Sequence, residues 1–144
     1  MNNILCVCIG NSDRSPVMAA VLAMFLKNAG HDVNCESAGV SESAAKGGPA
    51  PSFAVFASKR IGLDISGHSR RRTTSLDLKS YDLIVCVSDE VAGQIIAQGA
   101  DVSKIFNAQI TNPWPVKFQD TYDATFGQIL VVMYQVVKFY FPQS

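Results

Sequence analysis

The feature that most restricts the fold is the run Asn3-Ile4-Leu5-Cys6-Val7-Cys8, apolar at nearly every position and followed at once by Ile9-Gly10-Asn11-Ser12-Asp13-Arg14-Ser15-Pro16. A strand that is apolar on successive residues has both faces buried, which is the signature of a central parallel strand with helices above and below it. A helical stripe follows over residues 15–29, carried by Val17, Met18, Val21, Leu22, Phe25 and Leu26. Pro16 suits the first turn of this helix and Gly30 its end. The same alternation continues along the chain. Residues 33–38 read as a second strand, with Asn34 and Glu36 placing it near a sheet edge, and residues 51–61 as a second helix. Residues 83–87 read as a third strand and 89–98 as a third helix. Lys104-Ile105-Phe106 forms a short fourth strand, and the last helix spans about 119–140. Strands alternating with helices imply an α/β fold with a parallel sheet and helices on both faces. Residues 1–144 are expected to form one domain, without repeats or a linker.

In such sheets the ligand site lies beyond the carboxyl ends of the strands, and Cys8 stands at that end. Between Cys8 and Arg14 lie five residues, Ile9, Gly10, Asn11, Ser12 and Asp13. A tight loop of this kind, opening into a helix N-terminus, can turn successive backbone N–H groups inward around an anion. The same field stabilises a thiolate and makes Cys8 a nucleophile. Arg14 closes the ring with a planar, permanently charged fork suited to a tetrahedral oxyanion. A nucleophile at the base of a phosphate-shaped cup implies phosphoryl transfer to cysteine. The bland alternative for Cys8 is a core cysteine ending a strand, and Cys6, inside the strand, reads as core.

Composition narrows the class further. Lys and Arg number 12, as do Asp and Glu, so the net charge is zero and the basic footprint of a nucleic-acid binder is missing. Charged residues make up only 17% of the chain, so some apolar surface is expected. Cys6, Cys8 and Cys86 sit in apolar strand-like runs, which reads as buried or catalytic thiols in a reducing compartment. No signal segment precedes the first strand, so a cytoplasmic location is expected. No cluster has metal-ligand spacing, and neither a metal nor a cofactor is called for. Residues 129–141 are apolar nearly all round but too short to span a membrane. They are expected to be deeply buried or to pair weakly with a second copy of the chain.

The chain resembles the low-molecular-weight protein tyrosine phosphatases. The resemblance rests on the Cys8-x5-Arg14-Ser15 loop, Glu36-Ser37-Ala38-Gly39, Gly67-His68, Tyr81-Asp82-Leu83-Ile84 and Asn112-Pro113-Trp114. It implies a flavodoxin-like sheet in strand order 2-1-3-4 and hydrolysis of phosphate monoesters, phosphotyrosine above all, through a phosphocysteine. Cys8 would be the nucleophile, Arg14 would bind the phosphoryl oxygens with the loop residues 9–13, and Ser15 would hydrogen-bond the thiolate. Asn11, Ser37 and His68 would form the network that shapes the loop, and Trp114 would wall the entrance. A phosphotyrosine protein, a small aryl phosphate or an inorganic oxyanion would be the ligand.

Two positions depart from the family. Asn112 stands where the family carries an aspartate as general acid, and an amide cannot donate a proton to the leaving oxygen. Asp13 stands where many members have a second cysteine. Unless it points away from the cup, its carboxylate should weaken phosphate binding. Asp13 or Asp120 could replace the missing acid, although Asp120 and Asp123 read equally as first-turn helix acids. Arg70-Arg71-Arg72 reads as a solvated loop end or as a dock for acidic residues near a phosphosite. Two other functions remain open. One is a catalytically impaired phosphate- or phosphoprotein-binding module, which Asn112 favours. The other is an arsenate reductase, for which the cysteine pair needed after the third strand is missing.

Overall fold

The computed structural model describes residues 1–143; Ser144, the last residue of the span read as one domain, lies outside them. Four strands and four α-helices alternate. They are β1 (Asn3–Cys8), α1 (Arg14–Asn28), β2 (Asn34–Gly39), α2 (Ser52–Lys59), β3 (Leu83–Cys86), α3 (Asp89–Ala97), β4 (Ile105–Asn107) and α4 (Gln119–Tyr140). The sheet runs in the order β2-β1-β3-β4, and every neighbouring pair is parallel. Residues 4–8 of β1 and all of β3 are buried. Successive strand residues point to opposite faces, so helices must cover both. α1 and α4 pack together, α2 packs on α4, and α3 packs on β3 and β4. β2 is partly exposed at its start, as an edge strand should be.

The expected boundaries differ from the observed ones by one or two residues, each for a local reason. α2 stops at Lys59 because Gly62, at φ 83°, lets its N–H reach the Lys59 carbonyl and Leu63 reach back to Ser58. β4 begins one residue late because Val102–Lys104 is a 3-10 turn, begun by the Asp101 carboxylate accepting from the Ser103 N–H. Residues 39–50, expected as plain loop, contain a 3-10 turn at Glu42–Lys46.

The triple arginine is not a solvated loop end. Arg72 bridges Gly39 in parallel pairing, so this segment extends the β2 edge. Arg71 pairs with Glu36 at 2.6 Å and donates to the Ser37 carbonyl. Arg72 donates to the Val40 carbonyl.

The late helix resolves into two faces. Tyr122, Phe126, Ile129, Met133, Val136 and Val137 are buried, whereas Val131, Tyr134 and Phe139 are exposed. Among the described residues, no helix is long and apolar enough to cross a membrane.

Candidate active site

β1 ends at Cys8 and α1 begins at Arg14, so the loop between them spans the carboxyl edge of the sheet and the N-terminus of a 15-residue helix. Within it Asn11 takes the left-handed conformation, φ 53°. Asn tolerates that conformation better than most side chains do. The turn brings the Asn11 N–H to 3.2 Å from the Cys8 Sγ. The Ser15 Oγ lies 3.0 Å from the same sulfur. Asn11 Nδ2 donates to the Ser15 Oγ at 2.8 Å, which leaves the single hydroxyl proton of Ser15 free to point at a thiolate. Its other nearby acceptor, the Ala38 carbonyl, is farther away at 3.3 Å.

Asn11 is completely buried and holds three elements together. Its Nδ2 also donates to Ser37 Oγ of β2, and its Oδ1 accepts from the Arg71 N–H. Its carbonyl lies 2.7 Å from His68 Nε2. A carbonyl only accepts, so Nε2 of His68 carries the proton. Burial, with Arg70 and Arg71 nearby, pushes the His68 pKa down and favours the neutral ring. Asn11, Ser37 and His68, expected from the sequence to act together, therefore form one continuous network under the loop, and Ser15, expected only beside the thiolate, joins it through Asn11.

Gly39 makes this packing possible. A Cβ there would meet the Ile9 carbonyl oxygen at 2.6 Å and the Asn11 nitrogen at 2.7 Å. Both are backbone atoms of the loop and cannot swing aside.

Above the loop is a cavity of about 350 Å³ lined by Cys8, Ile9, Gly10, Ser12, Asp13, Arg14, Arg70, Asn112 and Trp114. Arg14 is 5% exposed and donates from Nη1 to the Ile110 carbonyl at 2.9 Å. That bond ties it to the loop between β4 and α4. The same late loop is anchored to α4, where Gln128 receives the Thr111 N–H and donates to the Gln109 carbonyl. Asn112 is exposed at the cavity wall, and its Oδ1 caps the Trp114 N–H. Trp114 packs edge-on against Phe53, which in turn packs on the buried Tyr122.

Asp13 does not point away from the cup. Its Oδ1 accepts from Trp114 Nε1 at 3.3 Å, and its Oδ2 is buried without a partner. Burial pushes its pKa up and outweighs the lowering effects of the Trp114 hydrogen bond and the Arg14 charge. The Tyr122 hydroxyl is likewise buried and unpartnered, and burial together with the Asp13 charge pushes its pKa up. Asp120 is exposed on the first turn of α4 and does not line the cavity. Asp123 pairs with Arg60. Burial raises the pKa values of Cys6, Cys35 and Cys86. Among the described residues no group of His, Cys, Asp and Glu is arranged to hold a metal.

Four residues take roles that sequence reasoning did not assign them. Arg70 reaches the cavity, Gly39 admits the loop, and Phe53 and Tyr122 buttress Trp114. Gly39 left a signal in the Glu36-Ser37-Ala38-Gly39 motif and Arg70 in the triple arginine, whereas Phe53 and Tyr122 left none.

The arrangement offers a sulfur nucleophile hydrogen-bonded by an amide and a hydroxyl, a guanidinium at its rim and a helix N-terminus behind it. Such a site can hold a tetrahedral oxyanion and present sulfur to its centre. Residues 3–112 match the family model for low molecular weight phosphotyrosine protein phosphatase. The Escherichia coli (strain K12) low molecular weight protein-tyrosine-phosphatase Etp is 29% identical over 136 residues, 89% of this chain and 87% of the relative. The solved low molecular weight protein tyrosine phosphatase from T. tengcongensis is 26% identical with a TM-score of 0.85, covering 96% of this chain and 99% of that one. The YwlE arginine phosphatase, solved as a mutant with a phosphorylated active-site serine, is 25% identical with a TM-score of 0.82, covering 94% and 93%.

Proposed function

The chain belongs to the low molecular weight phosphotyrosine protein phosphatase family, a family of cysteine-based phosphatases, and from that premise we propose how its own residues carry the reaction. Cys8 attacks phosphorus in line, the ester oxygen leaves, and a phosphocysteine forms. Water then attacks phosphorus, the S–P bond breaks, and inorganic phosphate departs with Cys8 restored as thiolate. Arg14 and the loop N–H groups other than that of Asn11, which faces the Cys8 sulfur, hold the equatorial oxygens as charge builds on them. Ser15 and the Asn11 N–H stabilise the leaving thiolate in the second step. Phosphotyrosine in a protein is the proposed substrate, with Trp114 flanking the ring. No step requires a cofactor. Cys8 must stay reduced, which favours a cytoplasmic location.

The single observation behind this reading is the Cys8 sulfur held by both the Asn11 N–H and the Ser15 hydroxyl beside buried Arg14. Turnover is proposed to be slow for poor leaving groups. Asn112 fills the general-acid position on the late loop, and a general acid is worth about 10²–10⁴-fold. The same substitution favours a second reading, in which the site binds phosphoprotein without turning it over. The arsenate reductase reading is weaker, because burial keeps Cys6 and Cys86 poor partners for disulfide exchange. Purified protein should hydrolyse 4-nitrophenyl phosphate, and Cys8→Ser should abolish turnover while retaining phosphate binding. Phosphate binding without any turnover by the unaltered protein would instead select the binding module.

A further inference from the structure

The three adjacent arginines meet different fates. Arg71 is neutralised by Glu36, and Arg72 points its Nε at the Val40 carbonyl on the β2 edge. Arg70 alone faces the cavity that holds Cys8 and Arg14. It forms no ion pair among the described residues. It is nonetheless held in place from two directions. Its backbone N–H donates to the Gly48 carbonyl at 2.9 Å, and its side-chain Nε donates to the Gly47 carbonyl at 2.8 Å. Gly47 and Gly48 sit at φ 70° and 97°, a turn that other residues adopt only under strain. The turn therefore acts as a bracket. It spends one N–H of the guanidinium and leaves the outer two nitrogens to reach for a ligand. A guanidinium fixed this way loses little freedom on binding, and its fork matches a carboxylate.

We propose that Arg70 is a specificity residue that reads an acidic side chain next to the phosphorylated residue of a protein substrate. The proposal rests on the phosphatase reading of the Cys8 site. Phosphate itself is already provided for by Arg14 and the loop amides at the base of the cavity. A second cation on the wall is placed for a second anion on the same ligand. With a net charge of zero, the protein has no general field to attract acidic partners, so this preference depends on the local contact.

The test uses two phosphotyrosine peptides that differ only in Glu or Gln at the flanking positions, with 4-nitrophenyl phosphate alongside. The unaltered enzyme should favour the Glu peptide in kcat/KM by about threefold or more, and added salt should shrink that preference. Arg70→Gln should bring the ratio close to one. Arg70→Lys, which loses the same bond to Gly47 but keeps the charge, should retain part of the preference, so that a general disturbance of the turn is separated from loss of charge. Equal turnover of the two peptides by the unaltered enzyme overturns the role of Arg70 and leaves the phosphatase reading intact. An Arg70→Gln loss that is the same for both peptides and for 4-nitrophenyl phosphate also overturns it, because Arg70 then acts on the phosphoryl group. No turnover of any of the three overturns both.

Discussion

At the scale of single residues, Asn112 and Asp13 line one cavity with Cys8, and the proposed mechanism makes both bear on the rate. Asn112 offers hydrogen bonds but no proton, and its side chain already caps the Trp114 N–H. Nitrophenolate departs without help, tyrosine's phenolate needs more, and an alkoxide needs most. Rates should therefore fall steeply along that series. Asn112→Asp should flatten the trend and raise phosphotyrosine turnover by about 10²-fold. It should also add a basic limb to the pH–rate profile as the new acid deprotonates. An unchanged trend would move the search for the acid to Asp13, whose carboxyl lines the same cavity. Asp13 carries its own pH signature. Burial raises its pKa in the folded protein, so the native state binds a proton more tightly than the unfolded chain does. Its contribution is fully present below the unfolded carboxyl value of about 3.9 and is lost as pH rises through the folded value. At neutral pH the ionised form is a standing cost. Asp13→Asn keeps an acceptor for Trp114 and removes that cost. Thermal melts should show it more stable than the parent by a few degrees at pH 7, with the gap closing toward pH 4. Phosphate should also bind it more tightly, because a carboxylate beside the anion has gone.

At the scale of elements, the site depends on how closely β2 approaches the loop after β1. A Cβ at Gly39 would have no room against the backbone of Ile9 and Asn11, so Gly39→Ala must displace the loop. Loss of kcat/KM by about 10²-fold or more is expected with the sheet intact by circular dichroism, since misplacement of about 1 Å can cost that much. The contact also marks where the sequence stops being readable. Cys8 to Ser15 is contiguous, so its strand, loop and helix start can be seen in local pattern alone. The same holds for β1 and β3, whose unbroken apolar runs imply cover on both faces. Gly39 lies far along the chain from Ile9, and its role appears only once β1 and β2 are in register, with Cys8 opposite Gly39. Likewise three consecutive arginines look alike in a sequence. Their separate partners, Gly47, Glu36 and Val40, come from elements that folding brings alongside. The Trp114–Phe53–Tyr122 chain of edge-on rings joins three segments in the same way.

At the scale of the whole molecule, the parallel order β2-β1-β3-β4 sets all four carboxyl ends along one edge, and every cavity-lining residue comes from that edge or the loops above it. β1 supplies Cys8, the proposed nucleophile, α1 the positive end, the segment after α2 supplies His68 and Arg70, and the loop before α4 brings Asn112 and Trp114. Arg14, bonded to the Ile110 carbonyl, links the first of these units to the last. The central claim is that this assembly exists to carry a phosphoryl group on one sulfur. The most direct measurement is to quench the protein within a single turnover of labelled 4-nitrophenyl phosphate and locate the label by mass spectrometry. The structure predicts a phosphoryl group on Cys8, absent from Cys8→Ser and released as inorganic phosphate when the chase is allowed to run. Turnover with no label on Cys8, or label on Cys6, Cys35 or Cys86 instead, would contradict it.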